Sequence, residues 1–420
     1  MLLKKPIVAG AVLFIVLPRF AIAQNDSSPY SVLGIGNIET SGFNRYTGMA
    51  DAGVALSDNR NINNSNAASL TGLNEHFYTF ELSGRFRQTI FKGLGITAPN
   101  DKSGDFEVNR INLAMKVAKH WGSSVGLQPF STANYSYTAL KTIGGTLQNV
   151  SASYEGDGGV HQFYWANGYQ LSMYTSIGVT SSFLFGSLRQ VENLLSGDNT
   201  TVSLTTTQNT YLRNYYFNFA MQTGFRVNSK WESRYGITYS PKTSLFAEYT
   251  TDVTGSAGDS IKSDAAKNNF FTLPGNINAG IAFVKNAKYT YTINVQSQNW
   301  GALNYKGTNY RLVNSNRISF GFQQSNRQKD YYNREYEKGY FQMGFYAGQS
   351  YLKVKNVQIT DIGGSVGYGI NSKSSPMSVM IALEGGRRGA SNTNILSENY
   401  INLNLTISFI DLLYKGKKYF

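Results

Sequence analysis

The chain has 420 residues, no cysteine, a formal charge of +13 and only 15% charged residues. The missing thiols exclude a disulfide scaffold, a thiolate metal site and a lipoprotein anchor, and the mean hydropathy of −0.29 excludes a bundle of membrane helices. The basic residues are scattered with no run of five, so the charge speaks against nucleic acid and for anionic lipopolysaccharide head groups.

Residues 1–23 read as a secretory signal peptide. Lys4 and Lys5 form its positive start, Ile7–Leu17 its apolar run, and Ala21-Ile22-Ala23 a small-x-small cleavage site before Gln24. The apolar run is too short to cross a bilayer, and no later run approaches the ~18 residues a spanning helix needs.

Residues 24–75 hold Gly34, Gly36, Gly42, Gly48, Gly53 and Gly72, many Asn, and no long alternating pattern. Their apolar side chains, among them Met49, Val54, Leu56, Ile62, Leu70 and Leu73, are too few to make a core of their own. This composition predicts a compact segment with short helical turns that plugs a barrel lumen; the other reading is a disordered periplasmic tail.

From His76 to the end, apolar and polar residues alternate in fourteen segments, beginning near His76–Phe91 and Val108–His120 and ending near Ser397–Asp411. Successive side chains of a strand point to opposite faces, so each segment predicts a strand with one greasy and one wet face. Tyr289, Tyr291, Ile293 and Val295, for example, alternate with Thr290, Thr292, Asn294 and Gln296. The third segment carries a proline, Pro129, in Leu127-Gln128-Pro129-Phe130; proline removes a ladder donor and belongs at an edge, a bulge or a break. Links of polar residues near 92–107, 141–158, 191–208, 251–267 and 301–313 are long, and those between them are short. The alternation of link lengths weakens at 326–338 and 353–356. Long loops outside and tight turns on the periplasmic side are the habit of outer-membrane barrels.

The last segment is the most regular. Ile401, Leu403, Leu405, Ile407 and Phe409 share one face, and Tyr400, Asn402, Asn404, Thr406 and Ser408 the other. It is predicted to pair with the first strand, because an unpaired edge in lipid leaves N–H and C=O groups without partners. The fold expected is all-β: a 14-stranded antiparallel transmembrane β-barrel over 76–420 with the 24–75 segment in its lumen. Twelve or sixteen strands would keep the same parity. Both termini are expected on the periplasmic side of an outer membrane.

Two motifs carry a resemblance. Gly48-Met49-Ala50-Asp51-Ala52-Gly53, followed by Asn66-Ala67-Ala68-Ser69-Leu70, is similar to the N-terminal hatch of FadL-type outer-membrane transporters, with Ala67 where that family has proline. Gly363–Gly369, Glu384-Gly385-Gly386-Arg387, Glu398-Asn399-Tyr400 and the Lys-rich end Tyr414–Phe420 resemble members of that superfamily from Bacteroidota. The resemblance implies a monomeric fourteen-stranded barrel that carries fatty acids or aromatic hydrocarbons and releases them sideways at the third strand. Other members of the superfamily serve protein secretion or larger envelope assemblies.

No catalytic motif is present. His76, His120 and His161 lack ligand spacing, Gly34-Ile35-Gly36 lacks the rest of a dinucleotide loop, and neither a P-loop nor a nucleophile elbow occurs. Tyr331, Tyr332, Tyr336 and Tyr340 among Arg334, Glu335 and Glu337 read as an aromatic, charged periplasmic link. The chain is expected to be no enzyme and to need no cofactor or metal. Two functions follow as expectations. One is passage of a hydrophobic small molecule, with Met49, Asn66, Leu70, Pro129 and Phe130 as ligand-binding or gating residues. The other is a non-transporting accessory or structural subunit that binds other envelope proteins in secretion or barrel assembly.

Overall fold

The computed structural model describes residues 28–93, 101–142, 149–195, 202–307, 309–329, 333, 335–372, 376–390 and 395–413. The signal peptide, Tyr331, Tyr332, Arg334 and the Lys-rich end lie outside the described residues. The strands of the wall are β1 Phe77–Lys92, β2 Lys102–Ala118, β3 Trp121–Thr132 with its continuation Tyr135–Thr142, β4 Asn149–Gln170 and β5 Thr175–Leu195. Next come β6 Val202–Arg226, β7 Trp231–Ser240 continued by Thr243–Gly255, β8 Ser260–Leu273 continued by Asn276–Lys285, and β9 Tyr289–Gln298. The last five are β10 Ser315–Lys329, β11 Glu335–Val354, β12 Val357–Asn371, β13 Met377–Gly389 and β14 Ser397–Leu412.

Each strand pairs antiparallel with its neighbour, and β14 pairs with β1 from Ser397↔Lys92 to Leu412↔Phe77. The barrel of fourteen strands is therefore closed. Alternation puts the grease outside: Leu403 is 45% exposed, while Asn402 and Asn404 on either side are 4% and 3% exposed. Phe217, Phe219, Ile293, Val295 and Phe345 continue the same outward band on other strands. Such a band around a closed sheet is a lipid-facing belt.

Several strands outrun their sequence-predicted bounds. The link expected over 251–267 is mostly strand, because β7 runs to Gly255 and β8 starts at Ser260. Both faces of these outer ends meet water, as in Ser260–Ala266, so no alternation marks them in the sequence. The 353–356 irregularity is a two-residue hairpin: Lys355 and Asn356 both have positive φ, the conformation that matches strand twist at a tight turn. Asn286 and Ala287 turn β8 into β9 in the same way at the other end.

A charge on the belt should be costly where the loss of an unbonded lumen-facing amide is not. Leu403→Arg is expected to destabilise the barrel by about 2–4 kcal/mol. Asn404→Ala should stay near wild type, since this buried amide has no hydrogen-bond partner to lose. Urea unfolding of the reconstituted protein, followed by heat-modified gel mobility, checks both.

Candidate functional site: the occupied lumen and a break in the wall

Residues 28–76 lie inside the barrel, because their partners are inward side chains from strands all round it. Two of the segment's short helical turns carry a side-chain cap. Ser28 accepts a hydrogen bond from the Tyr30 N–H at 3.1 Å ahead of the turn Pro29–Val32. Asn66 accepts one from the Ala68 N–H at 3.0 Å ahead of Ala67–Gly72. A side-chain oxygen facing an otherwise orphaned N–H is what starts such a turn.

The wall then holds the segment by its backbone. Ser83 Oγ donates to Phe43 O at 2.8 Å, Thr292 Oγ1 to Ala52 O at 2.9 Å, and Gln222 Nε2 to Val54 O at 2.8 Å. The Ala50 N–H donates to Ser365 Oγ at 2.9 Å. Close approach needs glycine on the wall: a Cβ on Gly344 would sit 2.3 Å from the Met49 carbonyl carbon, and one on Gly122 2.2 Å from Leu70 O.

Two charged clusters bolt the segment further. Glu81 on β1 and Arg110 on β2 form a fully buried ion pair. Glu81 Oε1 also accepts from the Ile62 N–H at 2.8 Å and from Ser408 Oγ at 2.9 Å. One carboxylate thus ties the inner segment to both strands of the closing seam. Near the short-link end, Arg45 pairs with Asp58 and, at 3.0 Å, with Glu337, and lies 4.1 Å over the Tyr340 ring.

The residues singled out from sequence do not converge on one path. Met49 is fully buried with Tyr46, Ala55, Leu56 and Ala282. Leu70 belongs to a second cluster with Ile62, Leu73 and Tyr164. Asn66 caps its turn and donates to Val54 O at 3.0 Å and Met221 O at 3.2 Å. Pro129 and Phe130 sit on the wall, where Phe130 meets the Tyr216 ring edge-on at 5.8 Å and packs on a third cluster with Tyr30, Ile35 and Leu212. Sequence reasoning missed Glu81, Arg110 and Arg45. A signal existed for the first two: each is a charge on the inward face of an alternating strand.

Pro129 marks a break in the wall. β2 and β3 pair from Ala118↔Trp121 to Ile111↔Leu127 and then part. A bulge follows between Pro129 and Ser131 on the β4 side. The freed edge of β3 takes Asn37–Ile38 of the inner segment as an added strand, Asn37 opposite Thr132 and Ile38 opposite Ser131. The Glu39 N–H donates to Phe130 O at 3.0 Å in the same seam.

Between this seam and the facing wall a polar chamber of about 120 Å³ remains, lined by Glu39, Asp51, Arg87, Arg317, Asp361 and Glu384 among others. Two of its carboxylates are held by tyrosines: Tyr400 Oη donates to Asp361 at 2.7 Å and Tyr346 Oη to Glu384 at 2.9 Å. Arg317 lies 3.8 Å over the Tyr346 ring. Burial, and then the charge of Glu384, push the Asp51 carboxyl up to about 6. Among the described residues no three His, Cys, Asp or Glu side chains gather as a metal site.

The two ends of the described chain lie at opposite ends of the barrel. Ser28 bonds to Glu398 and Asn134 at the long-link end, whereas Leu413 follows β14 at the short-link end. The termini themselves, expected on one side, lie outside the described residues; the described part of the segment threads the lumen lengthwise before β1 begins.

A family model described as BamG matches residues 2–420. The chain belongs to the BamG family. Comparison with curated proteins gave no match. Solved structures give its fold. A Pseudomonas aeruginosa FadL homologue aligns with TM-score 0.59 at 12% identity, covering 88% of this chain and 98% of its own. The Ralstonia pickettii toluene transporter TbuX aligns with TM-score 0.55 at 14% identity over 87% and 97%. The Pseudomonas putida toluene transporter TodX aligns with TM-score 0.54 at 15% identity over 91% and 100%. This BamG-family chain therefore has a FadL-like barrel.

Two outcomes test the bolts. Arg110→Met should cost about 3–5 kcal/mol, because it leaves the Glu81 charge buried alone, and adding Glu81→Leu should restore part of that loss. Chemical unfolding of the three proteins measures the cycle. Asp51 gives a pH signature. Its folded pKa lies above the unfolded one, so the folded state is penalised as pH rises from about 4 to about 6 and carries the full penalty above that. Asp51→Asn should then melt higher than wild type at neutral pH, with the difference fading towards pH ~4. Asn also suits the left-handed backbone at this position, φ 58°.

Proposed function

We propose that this BamG-family barrel is a plugged, non-conducting subunit of an outer-membrane protein assembly, in secretion or barrel assembly. The observation that carries this reading is the occupied lumen. The inner segment is bonded to β1, β6, β9, β11, β12 and β14, and its apolar residues fill the outer lumen. A conduit needs a path; a scaffold needs only a rigid wall and exposed ends. In this reading the short-link end faces the periplasm and the basic chain meets lipopolysaccharide on the other side. No catalytic step is involved.

A second reading, transport, is supported by the wall break beside Pro129 and by structural neighbours that include toluene transporters and a monoaromatic hydrocarbon channel. In it, Met49, Leu70 and Phe130 would contact a hydrophobic ligand while Asn66 and Pro129 shape the gate.

Extraction from native membranes in mild detergent separates the two. Migration in one large complex on a native gel, with no toluene or fatty-acid uptake defect in a Phe130→Ala strain, is the expected result. A lone monomer together with an uptake defect in that strain would replace the first reading by the second.

A further inference from the structure

The break in the wall has two edges, and among the described residues only the β3 edge is covered. On the β3 edge lie Asn37–Ile38. On the β2 edge, from Phe106 to Arg110, no described strand lies on the side away from β1. The height of this stretch matters. Phe106 and Val108 point outward and are 60% and 56% exposed, so the bare edge lies within the apolar belt. There an unpaired N–H or C=O has no water to turn to. An acyl chain or a hydrocarbon offers it neither donor nor acceptor. A polar side chain can meet one such group, but a row of them at strand spacing is matched by another extended backbone. The buried amide of Asn109 adds a second sign: its Nδ2 donates to Glu107 Oε2 at 3.0 Å, but its Oδ1 is without a donor and the residue is 1% exposed.

We propose that this edge docks an extended segment of a partner polypeptide, added as a strand along Phe106–Arg110. The inference rests on the subunit reading above and names the kind of contact that subunit makes. The partner's chemistry follows from the pleat. Side chains beside Phe106 and Val108 must be apolar, because they face lipid. On the other face Glu107 already accepts from Arg85 and Asn109, so the group left to meet is Asn109 Oδ1, which calls for a hydrogen-bond donor. The protein already uses the same device on the facing edge with its own chain.

The full-length protein in its native membrane can be tested by a photo-crosslinking amino acid placed at Phe106, at Val108, or as a control at Ile281 on a distant part of the wall. The expected result is adducts to one polypeptide from the first two positions and not from Ile281. Between those two probes, the crosslinked partner residue should shift by two, as strand pairing requires. Adducts to lipid alone, adducts to this chain's own 94–100 or 143–148 links, the same partner residue from both probes, or no polypeptide adduct would each overturn the proposal. Co-purification is read separately. A large assembly without these adducts ends the strand-docking inference and leaves the subunit reading intact; a lone chain ends both.

Discussion

The backbone hydrogen bond in hydrocarbon governs this molecule. Away from water, every N–H and C=O of a spanning segment must find a partner in protein, and a sheet achieves that only by closing on itself. Sixteen residue pairs between β14 and β1 close this one. From closure the rest of the wall follows. Side chains must alternate between lipid and lumen, which is why Leu403 and Leu405 share a face and Asn402 and Asn404 the other. The links can be irregular only where the strands leave the belt.

The same constraint explains the lumen. A closed wall presents a ring of Ser, Thr, Asn, Glu and Arg to its own interior. These groups bond well to a backbone that lacks regular secondary structure of its own. The inner segment has many carbonyls and N–H groups left over from short turns, and Ser83, Gln222, Thr292 and Ser365 meet them. A glycine- and asparagine-rich sequence that could not fold alone becomes ordered because the wall completes it. Glycines such as Gly122 and Gly344 let the two backbones touch.

Much of the barrel could be read from the chain, because a period of two is a local signal that survives without any knowledge of neighbours. Tyr289–Val295 and Tyr400–Phe409 are strands by that rule alone. The outer ends of β7 and β8 were not legible: both their faces are wet, so Thr250–Val253 and Ser260–Ala266 carry no alternation. The inner segment was legible as a compact body but not as a set of contacts. Glu81 meets Arg110, 29 residues later, and Ser408, 327 residues later. No spacing rule reaches across such distances. Nor does a motif tell that Met49, Leu70 and Phe130 enter three different clusters. Pro129 was the exception, since the chemistry of a missing donor is local and the break it accompanies lies beside it.

The bolts also bear on how freely the segment moves. A buried ion pair is weak evidence of net stability, yet removing one member leaves the other charge stranded at high cost. Withdrawing the inner segment would strip Arg45 of Glu337 and Glu81 of its Ile62 N–H. It would also uncover Asn37–Ile38's place on β3 within the belt. Each loss falls on a group that lipid or a dry lumen cannot re-solvate. A gate that swings often needs two arrangements of similar free energy. Here the bonded arrangement is specified at both ends of the lumen and at the wall break, and no described group offers a second set of partners. The segment behaves as part of the wall's own satisfaction, which fits a fixed plug better than a moving one.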